Sequence, residues 1–179
     1  MRQSPARWVT RIALDLVFPA TCVACGADGS LLCAACGAEM PEMTGPSCHY
    51  CARPLGKGDA CIECYLDQPP LDRLIAAYQY DGAVKQAVHA LKYRDLRALG
   101  AVLGWMLAEL PRVSRLEVDA VVPVPMHSRR LRARGYNHAA LLAGEVAGRL
   151  DLPLREDVLT RHRNTARQAR AANEDERAR

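Results

Sequence analysis

The sequence predicts an α/β protein in which a small cysteine-rich module precedes a cysteine-free domain. Three observations support this prediction. All eight cysteines lie between residues 22 and 64. Half of the 179 residues are apolar, which is enough for a sizeable core. A β-branched run at 119–125 precedes helical periodicity at 138–150, and this is the order of strand, loop and helix in an α/β unit.

The cysteines form four Cys-x-x-Cys pairs: Cys22/Cys25, Cys33/Cys36, Cys48/Cys51 and Cys61/Cys64. Two intervening residues let one tight turn present both thiolates to a tetrahedral ion. A disulfide framework is typical of secreted chains, and redox-active pairs usually occur singly. Four regular pairs without a signal peptide therefore favour two structural zinc sites.

Four pairs can be joined two by two in three ways. Consecutive pairing closes the shortest loops, so we expect a double zinc ribbon at residues 20–66. Gly26 and Gly37 each follow the second cysteine of a pair, where we expect a positive φ. His49 is expected to be a surface residue, because the cysteines complete both sites. Closed four-cysteine sites leave no position for water, which excludes a zinc hydrolase.

Net charge and apolar runs indicate little about partners. Lys and Arg number 24 against 20 Asp and Glu, a net charge of +4 that is too small to indicate nucleic acid. No apolar run reaches about 18 residues, so we expect no membrane span, no signal peptide and a cytoplasmic location. Trp8, Ile12 and Leu16 predict an amphipathic helix in residues 1–19 that packs on the chain's own core, with a membrane-surface role as the alternative.

The stretch "DQPPL" (67–71) indicates a linker that leads into a second domain at 72–179. We expect a strand within 73–82, then a helix through Val84, Val88 and Leu91. Asp95 is expected to cap a further helix that Pro111 ends. The run "DAVVPVP" (119–125) predicts a strand covered on both faces in a parallel sheet, and 138–150 predicts the helix that follows.

A basic segment separates that strand from its helix. We expect its arginines to lie in a loop: Arg129, Arg130, Arg132 and Arg134. Arginines ahead of a helix N-terminus suit a polyanion such as pyrophosphate, and Gly135 permits close backbone approach. His127 and His138 are further candidate donors to phosphate. The alternative is a solvated loop with no ligand.

Several motifs together resemble the ComF family of competence-associated, phosphoribosyltransferase-like proteins: "LDLVFPATCVACG", "AYQYDGAVKQAVHALKY", "VVPVPMHSRRLRARGYNHAALLA" and "LTRHRNTARQ". The resemblance implies a type I phosphoribosyltransferase-like parallel sheet that binds phosphoribosyl pyrophosphate (PRPP) with Mg²⁺. It implies a pyrophosphate loop of His127, Arg129, Arg130, Arg134, Gly135 and Asn137, and a mobile loop containing Thr165, Gln168 and Arg177. It also implies a role in DNA uptake, with single-stranded DNA and competence or DNA-processing proteins as partners.

The sequence departs from the family pattern at the sugar-phosphate site. Such a site needs a buried strand ending in two acidic residues and a Thr-Thr-Gly-type loop. The residue types of "EDVLTR" (156–161) resemble such a loop, but the segment does not fit the site, because no buried strand is predicted before Glu156. We therefore expect an incomplete second domain, from a fragment or a truncated product, and assign no catalytic residue. The alternative function is a non-enzymatic module that binds single-stranded DNA or a protein, although nine aromatic residues are few for base stacking.

Overall fold

A computed structural model describes residues 19–165 of the chain. The predicted helix of residues 1–19, apart from Pro19, and the predicted loop residues Gln168 and Arg177 lie outside the described residues. The helices are α1 (Ala34–Ala38), α2 (Ile62–Leu66), α3 (Gly82–Tyr93), α4 (Leu99–Glu109), α5 (Pro111–Ser114), α6 (Ser128–Arg134) and α7 (His138–Leu150). None of these helices is long and apolar enough to cross a membrane.

The two predicted helices α3 and α7 form where the apolar periodicity places them. Helix α3 follows Asp81 in extended conformation and buries Val84 and Leu91. Helix α7 occupies the predicted residues, and the Asn137 side chain caps it by accepting from the Ala139 N–H at 3.1 Å. An N-terminal Asn cap of this kind typically stabilises a helix by about 1 kcal/mol.

The expected cap of helix α4 is wrong. Asp95 has a φ of +55° and lies before the helix, which begins at Leu99 with Ala98 as its N-cap. The Asp95 carboxylate instead accepts from Arg97 Nε at 2.9 Å. Pro111 does mark the end of α4, because it is the first residue of the short helix α5, where its missing N–H is not needed.

Helices α4 and α7 pack closely through two glycines of α4. A Cβ on Gly100 would lie 2.7 Å from the Leu141 Cβ, and a Cβ on Gly104 would lie 2.6 Å from the Glu145 Cβ. The Gly104 position is also 3.0 Å from the Leu142 carbonyl oxygen. These contacts leave no room for a methyl group, so the glycines set the distance between the two helices.

We expect Gly104→Ala to lower the free energy of unfolding, because overpacking costs about 1–3 kcal/mol and exceeds the gain in helix propensity. Gly148→Ala is the matched control. Gly148 lies in α7, and a Cβ there would meet nothing within 4 Å. This control should gain up to about 1 kcal/mol. Thermal unfolding of both variants tests the difference, and a stabilised Gly104→Ala would refute the close packing.

The predicted parallel sheet is not confirmed. Among residues 19–165 the β-structure consists of isolated bridges. The expected strand in 73–82 contributes one antiparallel bridge, from Tyr78 to Glu42, and the expected strand at 119–125 contributes one parallel bridge, from Val121 to Leu154. Val122 and Val124 are 37% and 66% exposed, so this run is not covered on both faces. The β-branched pattern correctly indicated extended backbone, but sheet neighbours that would cover it are missing from the described residues.

The first ribbon shares a core with the helices, whereas the second ribbon has its own. Met40 is buried with Leu91 and Leu99, and three ribbon residues pack on the same cluster: Val23, Leu31 and Leu32. The backbone after Met40 is tied by Met43 N–H to the Ala77 carbonyl at 2.9 Å. The second ribbon clusters Cys48, Cys61 and Cys64 with Tyr50 and Leu55. The domain limits 20–66 and 72–179 stay predictions.

Candidate metal centres and anion site

The eight cysteines form two groups: Cys22, Cys25, Cys33 and Cys36, and then Cys48, Cys51, Cys61 and Cys64. Within each group the sulfur atoms all lie within 4.8 Å of one another. All eight are free thiols rather than disulfides. The structure therefore confirms the expected consecutive pairing and two separate metal centres.

The spacing of the sulfur atoms fits zinc. Four Zn–S bonds of about 2.3 Å at tetrahedral angles place sulfur atoms roughly 3.8 Å apart. The Sγ atoms of Cys25 and Cys33 are 3.7 Å apart, and those of Cys51 and Cys61 are 3.8 Å apart. The backbone N–H of Cys33 also donates to Cys22 Sγ at 3.4 Å. Both sites therefore have the donor set and the size of closed structural zinc centres.

The thiols of each centre need a cation before all four can ionise. Burial acts to raise the pKa of Cys22 and Cys48, but neighbouring backbone N–H groups outweigh it and lower each pKa to about 6. Burial and the side chains of Cys61, Cys51 and Cys48 raise the pKa of Cys64 to about 12. One thiolate therefore forms readily and opposes ionisation of its neighbours. A dication removes that opposition, which couples zinc binding to proton release.

Each ribbon uses one turn and one short helix to hold its cysteines. Gly26 has the expected positive φ, +77°, after the first pair. In the second ribbon Ala52 takes this place with a φ of +58°, an uncommon conformation for a residue with a Cβ. The expected positive φ at Gly37 is wrong, because Gly37 lies within α1. His49 lies outside both groups, and its Nε2 is 3.1 Å from Arg73 Nη2.

The basic segment is a helix rather than the expected loop. Helix α6 spans Ser128–Arg134, and His127 caps it by accepting from the Arg129 N–H at 3.2 Å. The stretch "SRRLRAR" contains no glycine or proline, so nothing in it opposes a helix. Gly135 has a φ of +82° and ends the helix, its N–H donating to the Leu131 carbonyl at 2.7 Å. The role of Gly135 is therefore a left-handed helix end.

The turn between α6 and α7, which we call the elbow (Gly135–Asn137), is fixed to the preceding extended run. Asn137 Nδ2 donates to the Val124 carbonyl at 3.0 Å while its Oδ1 caps α7. Tyr136 is buried, and its hydroxyl donates to the Leu91 carbonyl at the end of α3. These contacts place the elbow at the carboxyl end of the run bridged at Val121.

Three basic side chains interact beside the elbow, and we call them the basic cluster: Lys92, Arg134 and His138. Arg134 Nη1 lies 3.0 Å from His138 Nδ1, and its guanidinium lies 5.4 Å from the centre of the Tyr93 ring. Burial first, and then the charges of Lys92 and Arg134, lower the pKa of His138 to about 4. His138 is therefore neutral at pH 7, whereas its two neighbours are cations.

The remaining predicted anion-binding residues are only partly brought together. Arg130 donates to the backbone carbonyl of Thr165, which places this predicted mobile-loop residue beside α6. Thr165 Oγ1 also accepts from Arg161 Nη2 at 2.8 Å. Arg129 and Arg132 are exposed on α6. Arg97 was missed by the sequence reasoning. It lies 4.7 Å from the centre of the Tyr136 ring, and the basic run "KYRDLR" is the signal that could have indicated it.

Comparison with known proteins supports the double zinc ribbon. Residues 13–65 match the family model described as a double zinc ribbon domain. The chain is 28% identical over 163 residues to the DNA utilization protein YhgH of Salmonella typhi, covering 86% of this chain and 71% of that protein. It is 25% identical to Competence protein F of Haemophilus influenzae, covering 82% and 66% of the two chains. The ribbon match and these relatives support the resemblance to the ComF family.

A further relative is Competence protein ComFC of Bacillus subtilis, which is 26% identical over 63% of this chain and 50% of that protein. No solved structure matches the chain. The segment 156–161, which resembles a sugar-phosphate loop in sequence alone, is exposed throughout, with Asp157 paired to Arg155 at 2.9 Å. Nothing in this geometry makes it a phosphate loop.

Proposed function

We propose that this chain binds PRPP through its pyrophosphate group at the elbow and the basic cluster. The observation that supports this most is the pair of hydrogen bonds made by Asn137. They hold the start of α7 against the end of the extended run, and the basic cluster lies beside that junction. Ligands of open α/β proteins bind at this end of their strands.

In this proposal each part of the site has a separate role. Arg134 offers a planar set of donors to the phosphate oxygens, because Tyr93 and His138 already orient its guanidinium. Lys92 adds a second positive charge. Arg129, Arg130 and His127 lie on or beside α6 at the edge of the same site, and Mg²⁺ would enter with the ligand rather than on protein carboxylates. No transferase step is proposed.

The proposed cellular role follows from the names of the relatives, which are competence and DNA utilization proteins. We propose that the chain acts in the use of incoming DNA, in the cytoplasm, where reducing conditions keep zinc-binding thiols free. The two structural zinc sites then hold the shape of a nucleotide-related binding protein.

Competition between anions tests the proposed ligand. With Mg²⁺ present, PRPP should bind the full chain, and pyrophosphate should displace it. Ribose 5-phosphate should compete poorly, because the described residues supply contacts for pyrophosphate but no loop for the sugar phosphate. Isothermal titration measures all three. Equal competition by ribose 5-phosphate, or no PRPP binding, would overturn the assignment.

Binding of single-stranded DNA is a second candidate function, because two tyrosines are strongly exposed. Tyr65 on the second ribbon is 77% exposed and Tyr80 before α3 is 61% exposed. Stacking of a base on each ring would contribute about 1–3 kcal/mol, and phosphate contacts would make the affinity fall with salt. Fluorescence anisotropy of a labelled oligothymidine with Tyr65→Ala and Tyr80→Ala tests this function. Unchanged affinity in both variants would exclude it.

A further inference from the structure

We propose that His138 binds a phosphate oxygen through Nε2–H, and that Arg134 holds its ring in the tautomer that makes this possible. The inference rests on the proposed function, since it names a further binding residue of the same site. The sequence indicated His138 only as a candidate donor to phosphate, and the inference goes further because it assigns the proton to one ring nitrogen and gives Arg134 the role of fixing the tautomer.

The contact with Arg134 decides the tautomer. A guanidinium has five N–H donors and no acceptor, so Nδ1 of His138, which lies 3.0 Å from Arg134 Nη1, must be the acceptor of that hydrogen bond. An accepting Nδ1 carries no proton. A neutral imidazole with an unprotonated Nδ1 carries its proton on Nε2. His138 is therefore held as the Nε2–H tautomer.

The surroundings of His138 keep the ring neutral. The charged groups that face it are Lys92 from α3 and Arg134 from α6, and both disfavour an imidazolium. Partial burial is the largest cause, and together with these charges it lowers the pKa of His138 to about 4. At pH 6 to 8 the ring is consequently a neutral donor between two cations rather than a third cation.

Nε2 is open to a ligand. Within residues 19–165 no protein group accepts a hydrogen bond from it, and no fully buried side-chain nitrogen or oxygen lacks a partner. Nε2 therefore reaches solvent. A neutral N–H donor flanked by Lys92 and Arg134 suits a multiply charged phosphate, because it adds a hydrogen bond without increasing the repulsion among the cations.

Nitrogen NMR of the full chain labelled with ¹⁵N-histidine tests the tautomer directly. At pH 7 the His138 signals should show a protonated Nε2 and a bare Nδ1. In Arg134→Met this preference should relax, and the pKa of His138 should rise because one of the cations that lowers it is gone. A protonated Nδ1 in the unaltered chain would overturn the inference.

Affinity for pyrophosphate tests the donor role. His138→Ala should weaken binding about tenfold, the loss expected for one hydrogen bond to a charged group. His138→Gln places an amide N–H near the position of Nε2 and should restore affinity to within about threefold, whereas His138→Asn, whose shorter side chain matches Nδ1, should not. If the unaltered chain binds pyrophosphate and His138→Ala binds equally well, this inference fails alone. If the unaltered chain binds no pyrophosphate, the proposed function is refuted, and so is the assignment of a phosphate oxygen as the partner of His138.

Discussion

Cys36→Ser is expected to release one zinc and to unfold the helices as well, whereas Cys64→Ser is expected to release the other zinc and leave the helices folded. The two substitutions are matched, because each removes the fourth cysteine of its group. The chemical change is the same. Only the surroundings of the two ribbons differ.

The reason for the difference lies in the two cores. Met40 and the apolar residues of the first ribbon are packed on α3 and α4, so loss of the first zinc opens the shared core. The second ribbon packs on its own cysteines and a few neighbours. Structural zinc contributes about 10–16 kcal/mol in zinc-finger peptides, which is as large as the whole stability of a typical domain, about 5–15 kcal/mol. A coupled core should therefore not survive the loss of its zinc.

Native mass spectrometry should count two zinc ions in the unaltered chain and one in each variant. Far-ultraviolet circular dichroism should show most helix lost in Cys36→Ser at a temperature where Cys64→Ser remains helical. Equal loss of helix in both variants, or in neither, would contradict the shared core of the first ribbon. Two zinc ions in either variant would contradict the assignment of the ligands.

Arg134→Ala is expected to weaken pyrophosphate binding about 30-fold, or about 2 kcal/mol, because it removes a positive charge together with its hydrogen bonds to the phosphate oxygens. Arg132→Ala is the matched control. It removes the same charge from the last turn of α6, but Arg132 is exposed and has no partner in the basic cluster. Its effect should be threefold or less, as expected for a screened charge.

Competition titration at fixed salt measures both affinities. Arg134→Lys should recover part of the loss, since an ammonium keeps the charge without the planar pair of donors. Circular dichroism confirms that α6 and α7 remain folded in each variant. Similar losses for Arg132→Ala and Arg134→Ala would mean that net charge alone attracts the anion, and the site at the elbow would be wrong.

The sequence predicted the parts of this molecule that depend on local pattern. Four Cys-x-x-Cys pairs gave both metal centres, and apolar periodicity gave α7 to the residue. The features it missed depend on contacts that the pattern does not specify. Asp95 could not be excluded as a cap without knowing that the neighbouring Arg97 binds its carboxylate.

The candidate anion site shows the same division. Its arginines were evident as a cluster of charge, but the sequence did not reveal that they form a helix or that only Arg134 turns toward His138 and Tyr93. The charge of Lys92 on α3 acts on His138 of α7, and such an interaction has no signal in the spacing of either segment. Whether residues 119–125 are buried likewise depends on neighbouring segments, since a β-branched run alone specifies only extended backbone.

Amide NMR of the full chain titrated with pyrophosphate tests the central claim most directly. If pyrophosphate binds at the elbow, the largest shifts should occur at the backbone amides of Arg134 to Ala139 and of Lys92, with the second ribbon (48–64) unaffected. Largest shifts in the second ribbon, or none at the elbow at saturating pyrophosphate, would contradict the claim that the end of α6 and the start of α7 form the anion site.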